Sequence, residues 1–207
     1  MNVLFVIIKS IVRVLAKILF PYKATGKENI PSDGGVVLCS NHISLLDPVL
    51  IILTCKRKVL FMAKSELFKN RFLAAFFKMC GAFPVERGKH DTSAIDNAKA
   101  LVESGNVFGI FIEGTRTKNE DASPGRAKSG AAVIAVSTHS DIIPVAVTYK
   151  HGRPRIFSPA VVHYGKVIKS EEIELSEIKT SEIKKVSSRI MSDITELWER
   201  GTQWNDK

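Results

Sequence analysis

Asn41, His42, Ser44 and Asp47 crowd the polar turn that follows an apolar run in Val36–Pro48, V-V-L-C-S-N-H-I-S-L-L-D-P. Four residues separate the imidazole of His42 from the carboxylate of Asp47. An imidazole held in one tautomer by a carboxylate can take a proton from an attacking hydroxyl. Asp47 is equally suited to cap a helix that begins near Pro48. No serine or cysteine stands at a strained nucleophile elbow, so in a proton-transfer reading the nucleophile is the substrate's own hydroxyl.

Two more polar clusters follow apolar runs. One is Pro84-Val85-Glu86-Arg87 and the other is Glu113-Gly114-Thr115-Arg116. The planar guanidinium fork of Arg87 or Arg116 suits a phosphate, and either side chain can equally make a surface ion pair. Glu113 can accept from substrate hydroxyls or pair with a nearby arginine. Gly114 permits tight backbone passage there, with room for amide groups to face an anion. His90, His139, His151 and His163 lack partnered spacing and read as surface or loop residues.

Positioning these clusters requires strands that end together. Val36–Cys39, Val59–Ala63, Gly81–Arg87, Val107–Ile112 and Asp141–Tyr149 read as buried strands, with further pieces at Arg155–Ser158 and Val161–Tyr164. Helices are predicted from Pro48, over Ser65–Cys80, Asp91–Glu103, Ser129–Thr138 and about Ser181–Glu199. The phenylalanines of Ser65–Cys80 suit either the core or an acyl-chain-lining surface. Strands alternating with helices predict an α/β fold with a mixed or largely parallel sheet covered by helices. Sites in such folds gather beyond strand ends, where the three polar clusters can meet.

Met1–Phe20 is the exception to that alternation. Lys9, Arg13 and Lys17 interrupt its apolar residues, which argues against a signal peptide and against a simple membrane span. On a helix Asn2, Lys9, Ser10, Arg13 and Lys17 share one arc, and valine, leucine, isoleucine and phenylalanine fill the rest. The pattern predicts an N-terminal amphipathic membrane-associating helix.

Composition agrees with a folded body and an anionic partner. The 207 residues are 45% hydrophobic, and the formal charge is +9. No zinc-finger, RNP or basic-helix pattern is present, so no nucleic acid is expected. Cys39, Cys55 and Cys80 form no C-x-x-C pair, which predicts reduced, buried thiols and no zinc or redox site.

Taken in order, Asn41–Asp47 (N-H-I-S-L-L-D), Gly81–Arg87, Phe111–Thr117 (F-I-E-G-T-R-T) and the Pro-centred Ile143–Val147 resemble the four blocks of the glycerophospholipid acyltransferase family. Ile112 and Thr117 depart from the usual proline and serine. Beside the N-terminal amphipathic helix, taken as residues 1–22, the resemblance implies an acyltransferase domain over 23–207. It also implies transfer of an acyl group from acyl-CoA or acyl carrier protein to the sn-2 hydroxyl of 1-acylglycerol-3-phosphate. His42 would then be the general base and Asp47 its orienting group. Arg87 and Arg116 would hold the phosphate, and Glu113, with Gly114 and Thr115, the glycerol portion. No metal is implied, and no cofactor beyond the acyl-CoA or acyl carrier protein co-substrate. The expected setting is an anionic membrane surface at the cytoplasmic face of the cell membrane. Transfer to glycerol-3-phosphate or another lysophospholipid, a thioesterase or lipid hydrolase, and a non-catalytic membrane binder are the competing expectations.

Overall fold

A computed structural model describes residues 3–71, 74, 78, 81–85, 92–175 and 179–204. Arg87 and Cys80 lie outside the described residues, as do residues 72, 73, 75–77 and 79 of the predicted Ser65–Cys80 helix, whose first residues, Ser65–Phe68, form a 3-10 turn. The strands are β1 (Tyr22–Thr25), β2 (Val36–Ser40), β3 (Val59–Lys64), β4 (Ala82–Val85), β5 (Val107–Phe111), β6 (Asp141–Tyr149) and β7 (Ala160–Tyr164). They form one seven-stranded sheet in the order β1-β7-β6-β2-β5-β3-β4. Every neighbouring pair is parallel except β6 with β7, so the predicted largely parallel sheet is present.

Strand β2 lies between β5 and β6 and is buried along its whole length. Its side chains alternate between two cores, as a period of two requires. Val36 and Leu38 pack with Leu50 and Ile51 of α2 (Asp47–Thr54). Val37 and Cys39 face the opposite layer, built by α3 (Thr92–Glu103), α4 (Gly130–Ser137) and α5 (Thr180–Thr202). Cys39 and Cys55 are buried.

The segment Arg155–Ser158 is not a strand. Pro154 and Pro159 bracket it, and Phe157 adopts a φ of 62°, outside the extended region. Nor is His163 a loop residue. It stands in β7, with Thr25 Oγ1 3.0 Å from Nδ1 and Thr148 Oγ1 3.3 Å from Nε2.

The first helix, α1, spans Val3–Leu19. Its orientation sorts its residues in an unusual way. Arg13 donates from Nη2 to Leu53 O (3.2 Å), and Lys17 donates from Nζ to Tyr22 O (2.9 Å). Ala16 is buried, whereas Ile11, Val14, Leu15, Ile18 and Leu19 are exposed. Arg13 and Lys17 therefore reach back toward the body, and these five apolar side chains face outward. No described helix is long and apolar enough to cross a membrane.

Candidate active site

The register sets Ser40 of β2 beside Phe111 of β5 and Val145 of β6. The turn after Ser40 therefore emerges at the shared C-terminal edge, and three strands fasten it there. On the β6 side, Asn41 is fully buried; its Nδ2 donates to Val147 O (3.0 Å) and its Oδ1 accepts from Val147 N (2.8 Å). That side chain continues the β2–β6 ladder by one rung, in the way a backbone would. On the β5 side, His42 N donates to Glu113 Oε1 (2.9 Å), and Thr117 N donates to His42 O (2.7 Å). The imidazole stacks on Phe111, with ring centroids 3.9 Å apart and planes 15° apart, and Phe111 stacks in turn on Phe61.

His42 Nδ1 lies 2.8 Å from Asp47 Oδ2. The same oxygen accepts from Ile43 N (2.6 Å) and Ser44 N (2.7 Å), and Oδ1 accepts from the Tyr149 hydroxyl (2.6 Å). Asp47 is the first residue of α2, after the N-cap Leu46, and its carboxylate turns back to the amides of Ile43 and Ser44, so the capping alternative gives way to the histidine pairing. A carboxylate only accepts, so Nδ1 carries the proton and Nε2 presents its lone pair. Among the described residues Nε2 has no hydrogen-bond partner. The His42 side chain is 15% exposed, enough for a substrate hydroxyl to reach it.

Tyr149 is missing from the sequence reading, although a signal was available. It ends an otherwise apolar strand, D-I-I-P-V-A-V-T-Y, and a buried phenol needs a partner. Burial, reinforced by the Asp47 charge, pushes its hydroxyl far above the usual phenol range, so it stays a donor.

Glu113 is buried, and each of its oxygens meets a backbone amide: His42 N at Oε1 and Gly125 N at Oε2 (3.0 Å). Burial raises its carboxyl above the usual range, against the pull of those two amides. Gly114 turns the chain at a φ of 71°, a conformation that favours glycine, and spends its N–H on Phe111 O (2.9 Å). Thr115 and Arg116 are exposed beyond that turn, and Arg116 has no ion pair among the described residues. The structure thus brings together His42, Asp47, Glu113 and the Gly114–Arg116 turn, while Arg87 lies outside the described residues. Among the described residues no group of three or more His, Cys, Asp and Glu side chains could hold a metal ion.

Where β3 and β5 part after the Phe61–Gly109 pair, a cavity of about 350 Å³ opens, lined by Phe61, Met62, Ile110, Phe111 and Lys128 among others. It adjoins the ring on which His42 stacks.

Comparison with known proteins fits this geometry. The family model described as Acyltransferase matches residues 22–148. A 1-acyl-sn-glycerol-3-phosphate acyltransferase of Bacillus subtilis is 35% identical over 125 residues, 60% of this chain. One of Streptococcus pneumoniae is 33% identical over 189 residues, 87% of this chain. The chain spans 61% of the Bacillus protein's length and 67% of the Streptococcus protein's. The crystal structure of the 1-acyl-sn-glycerophosphate acyltransferase PlsC from Thermotoga maritima superposes with a TM-score of 0.73. That likeness, at 21% identity, covers 98% of this chain and 83% of the other, and it concerns the fold. A family match from β1 nearly to the end of β6, enclosing both His42 and Asp47, leaves one assignment: the chain belongs to the acyltransferase family.

Proposed function

We propose that this protein transfers an acyl group from a thioester carrier, acyl-CoA or acyl carrier protein, to the sn-2 hydroxyl of 1-acylglycerol-3-phosphate, giving phosphatidic acid. The observation that carries this reading is the uncommitted Nε2 of an imidazole whose Nδ1 is held by Asp47 at 2.8 Å. In the reaction, Nε2 takes the hydroxyl proton as that oxygen attacks the thioester carbonyl carbon. The tetrahedral intermediate collapses, the C–S bond breaks, and the imidazolium returns the proton to the departing sulfur. The products are the new ester and the free carrier thiol, with no covalent enzyme intermediate. Asp47 keeps the tautomer and steadies the imidazolium.

In this reading Arg116, with Arg87, holds the acceptor's phosphate through its guanidinium fork. Glu113, which also fixes the His42 backbone to the loop at Gly125, serves the acceptor's glycerol portion together with Gly114 and Thr115. The cavity beside Phe111 offers apolar room for an acyl chain. Arg126, Lys128 and Lys184 line an open cleft of about 790 Å³ that also includes Gly125, a cationic approach suited to a phosphate-bearing donor.

The outward apolar side of α1 supports a position on an anionic bilayer. Cys39 and Cys55 are buried and form no C-x-x-C pair, which suits the reducing cytoplasmic face. The deciding assay incubates the protein with lysophosphatidic acid and, in turn, an acyl-CoA and an acyl carrier protein, with products read by mass. Phosphatidic acid is the expected product. Free fatty acid alone would mean hydrolysis, and acylation only of glycerol-3-phosphate or another lysolipid would reassign the acceptor.

A further inference from the structure

The loop joining β6 to β7, residues 150–159, reads K-H-G-R-P-R-I-F-S-P. It contains Lys150, Arg153 and Arg155 and no acidic residue. At its tip Ile156 is 63% exposed and Phe157 is 69% exposed. Isolated exposed apolar residues are ordinary, but this pair differs in two respects. The first is conformational. Phe157 sits at a φ of 62°, sterically costly for a bulky side chain, so the fold spends free energy to present the ring outward. The second is the partner that holds it: Phe157 N donates to Leu19 O, the last residue of α1, at 2.6 Å.

Strand register explains why that partner matters. Tyr149 of β6 pairs with Ala160 of β7, and Ala160 pairs with Tyr22 of β1. The loop after Tyr149 and the chain leaving α1 therefore share one sheet edge, and Tyr149 touches Asp47 at that edge. Arg153 donates to Asn119 O (3.1 Å), tying the loop to the chain that follows Arg116. Leu45, inside the His42 turn, is 62% exposed. Exposed apolar groups flanked by cations thus border the histidine on the side where α1 presents Ile18 and Leu19.

We propose that Ile156 and Phe157 form a second membrane anchor, a wedge that enters the headgroup region of an anionic bilayer beside α1 and holds the His42 edge against lipid. This rests on the membrane reading of α1 above. The charge pattern selects the occupant. Apolar side chains bracketed by Lys and Arg match acyl chains beneath anionic headgroups, and an anchor on a second segment fastened to the end of α1 holds an orientation that one helix leaves free to roll.

The test uses the full chain with vesicles of phosphatidylethanolamine and phosphatidylglycerol, and with vesicles of phosphatidylcholine alone. Wild type is expected to float with the anionic vesicles, less so as salt rises. The I156S/F157S variant should bind them roughly 100-fold more weakly, as expected for withdrawing two apolar side chains from the lipid. Its turnover of lysophosphatidic acid in detergent micelles should equal wild type, since neither residue touches the dyad. A second measurement needs no loss of binding: Phe157→Trp should be quenched by brominated lipid beyond the level of Trp198 and Trp204 in the parent chain. Equal flotation of wild type and I156S/F157S, or no added quenching at position 157, overturns the wedge while leaving α1 in place. Failure of wild type to float sinks both readings together. A dimer that becomes a monomer in I156S/F157S, with flotation unchanged, reassigns the patch to contact between copies of this chain.

Discussion

The hydroxyl of Tyr149 donates to Oδ1 of Asp47 at 2.6 Å, across 102 positions of sequence. His42 and two backbone amides hold the other oxygen. The Tyr149→Phe substitution would leave a buried carboxylate oxygen without its donor, and the orientation of Asp47 would loosen. We expect kcat to fall roughly 10- to 100-fold with the acceptor KM little changed. A KM rise at constant kcat would instead place Tyr149 in acceptor binding.

Replacement of His42 by alanine removes the base while leaving Asn41, Glu113 and the strand contacts standing. Acyl transfer should fall by about 10²- to 10⁴-fold, the span of general-base catalysis, with circular dichroism and thermal midpoint close to wild type. Trapping of an acyl-enzyme on any residue would contradict direct attack by the acceptor hydroxyl.

Arg116 is exposed and has no ion pair among the described residues, so removing it should cost little stability. Arg116→Ala should raise the acceptor KM roughly 10- to 100-fold with a smaller effect on kcat, measured by acceptor titration at saturating donor. An unchanged KM would remove Arg116 from the phosphate site.

A Cβ at Gly109 would collide with the ring of Phe61, which stacks on Phe111 beneath His42. Gly109→Ala should destabilise the fold by about 1–3 kcal/mol, the usual cost of overpacking a core. It should also lower kcat by tilting the imidazole's support. Denaturant midpoints and turnover together check this, and a variant as stable and active as the parent would show that the ring has room to move.

Burial, together with the positive charge of Arg200, holds the His163 imidazole below its ordinary value of 6.5. As pH falls the unfolded chain takes up this proton before the folded one. The site's contribution to stability is therefore complete above about 6.5 and is lost as pH falls through the folded value. His163→Gln should flatten the acid limb of the plot of urea midpoint against pH. An identical limb in both proteins would assign the acid sensitivity to other groups.

What was legible in the sequence was mostly local. The apolar run ending at Cys39, Pro48 in the first turn of a helix, and Asp141–Tyr149 all stand where patterning places them, because each element announces itself within a few residues. Relations between elements were not legible. Asn41 meets Val147, Glu113 meets His42 N and Asp47 meets Tyr149 only because β2 lies between β5 and β6, an adjacency no local pattern encodes. Glu113 shows the effect on chemistry. Its position near Arg116 in sequence suggested a substrate ligand, and the structure adds a second duty that no local pattern announces: each of its oxygens accepts from a backbone amide. The Arg155–Ser158 segment misled for a different reason: its apolar pair resembles a strand, but the flanking prolines and the positive φ of Phe157 turn it outward.

The Asn41 rung has a mechanical consequence. Because that side chain completes the pairing of β2 with β6, and His42 N is tied through Glu113 to β5, the imidazole moves only as the middle of the sheet moves. Central strands are the stiffest part of an α/β body and open last in local unfolding. The base therefore behaves as a fixed anvil, and adjustment to different substrates falls to the lipid and to the loop at 114–128 that meets it. Chain-length preference and acceptor choice can drift through that loop without retuning the proton transfer.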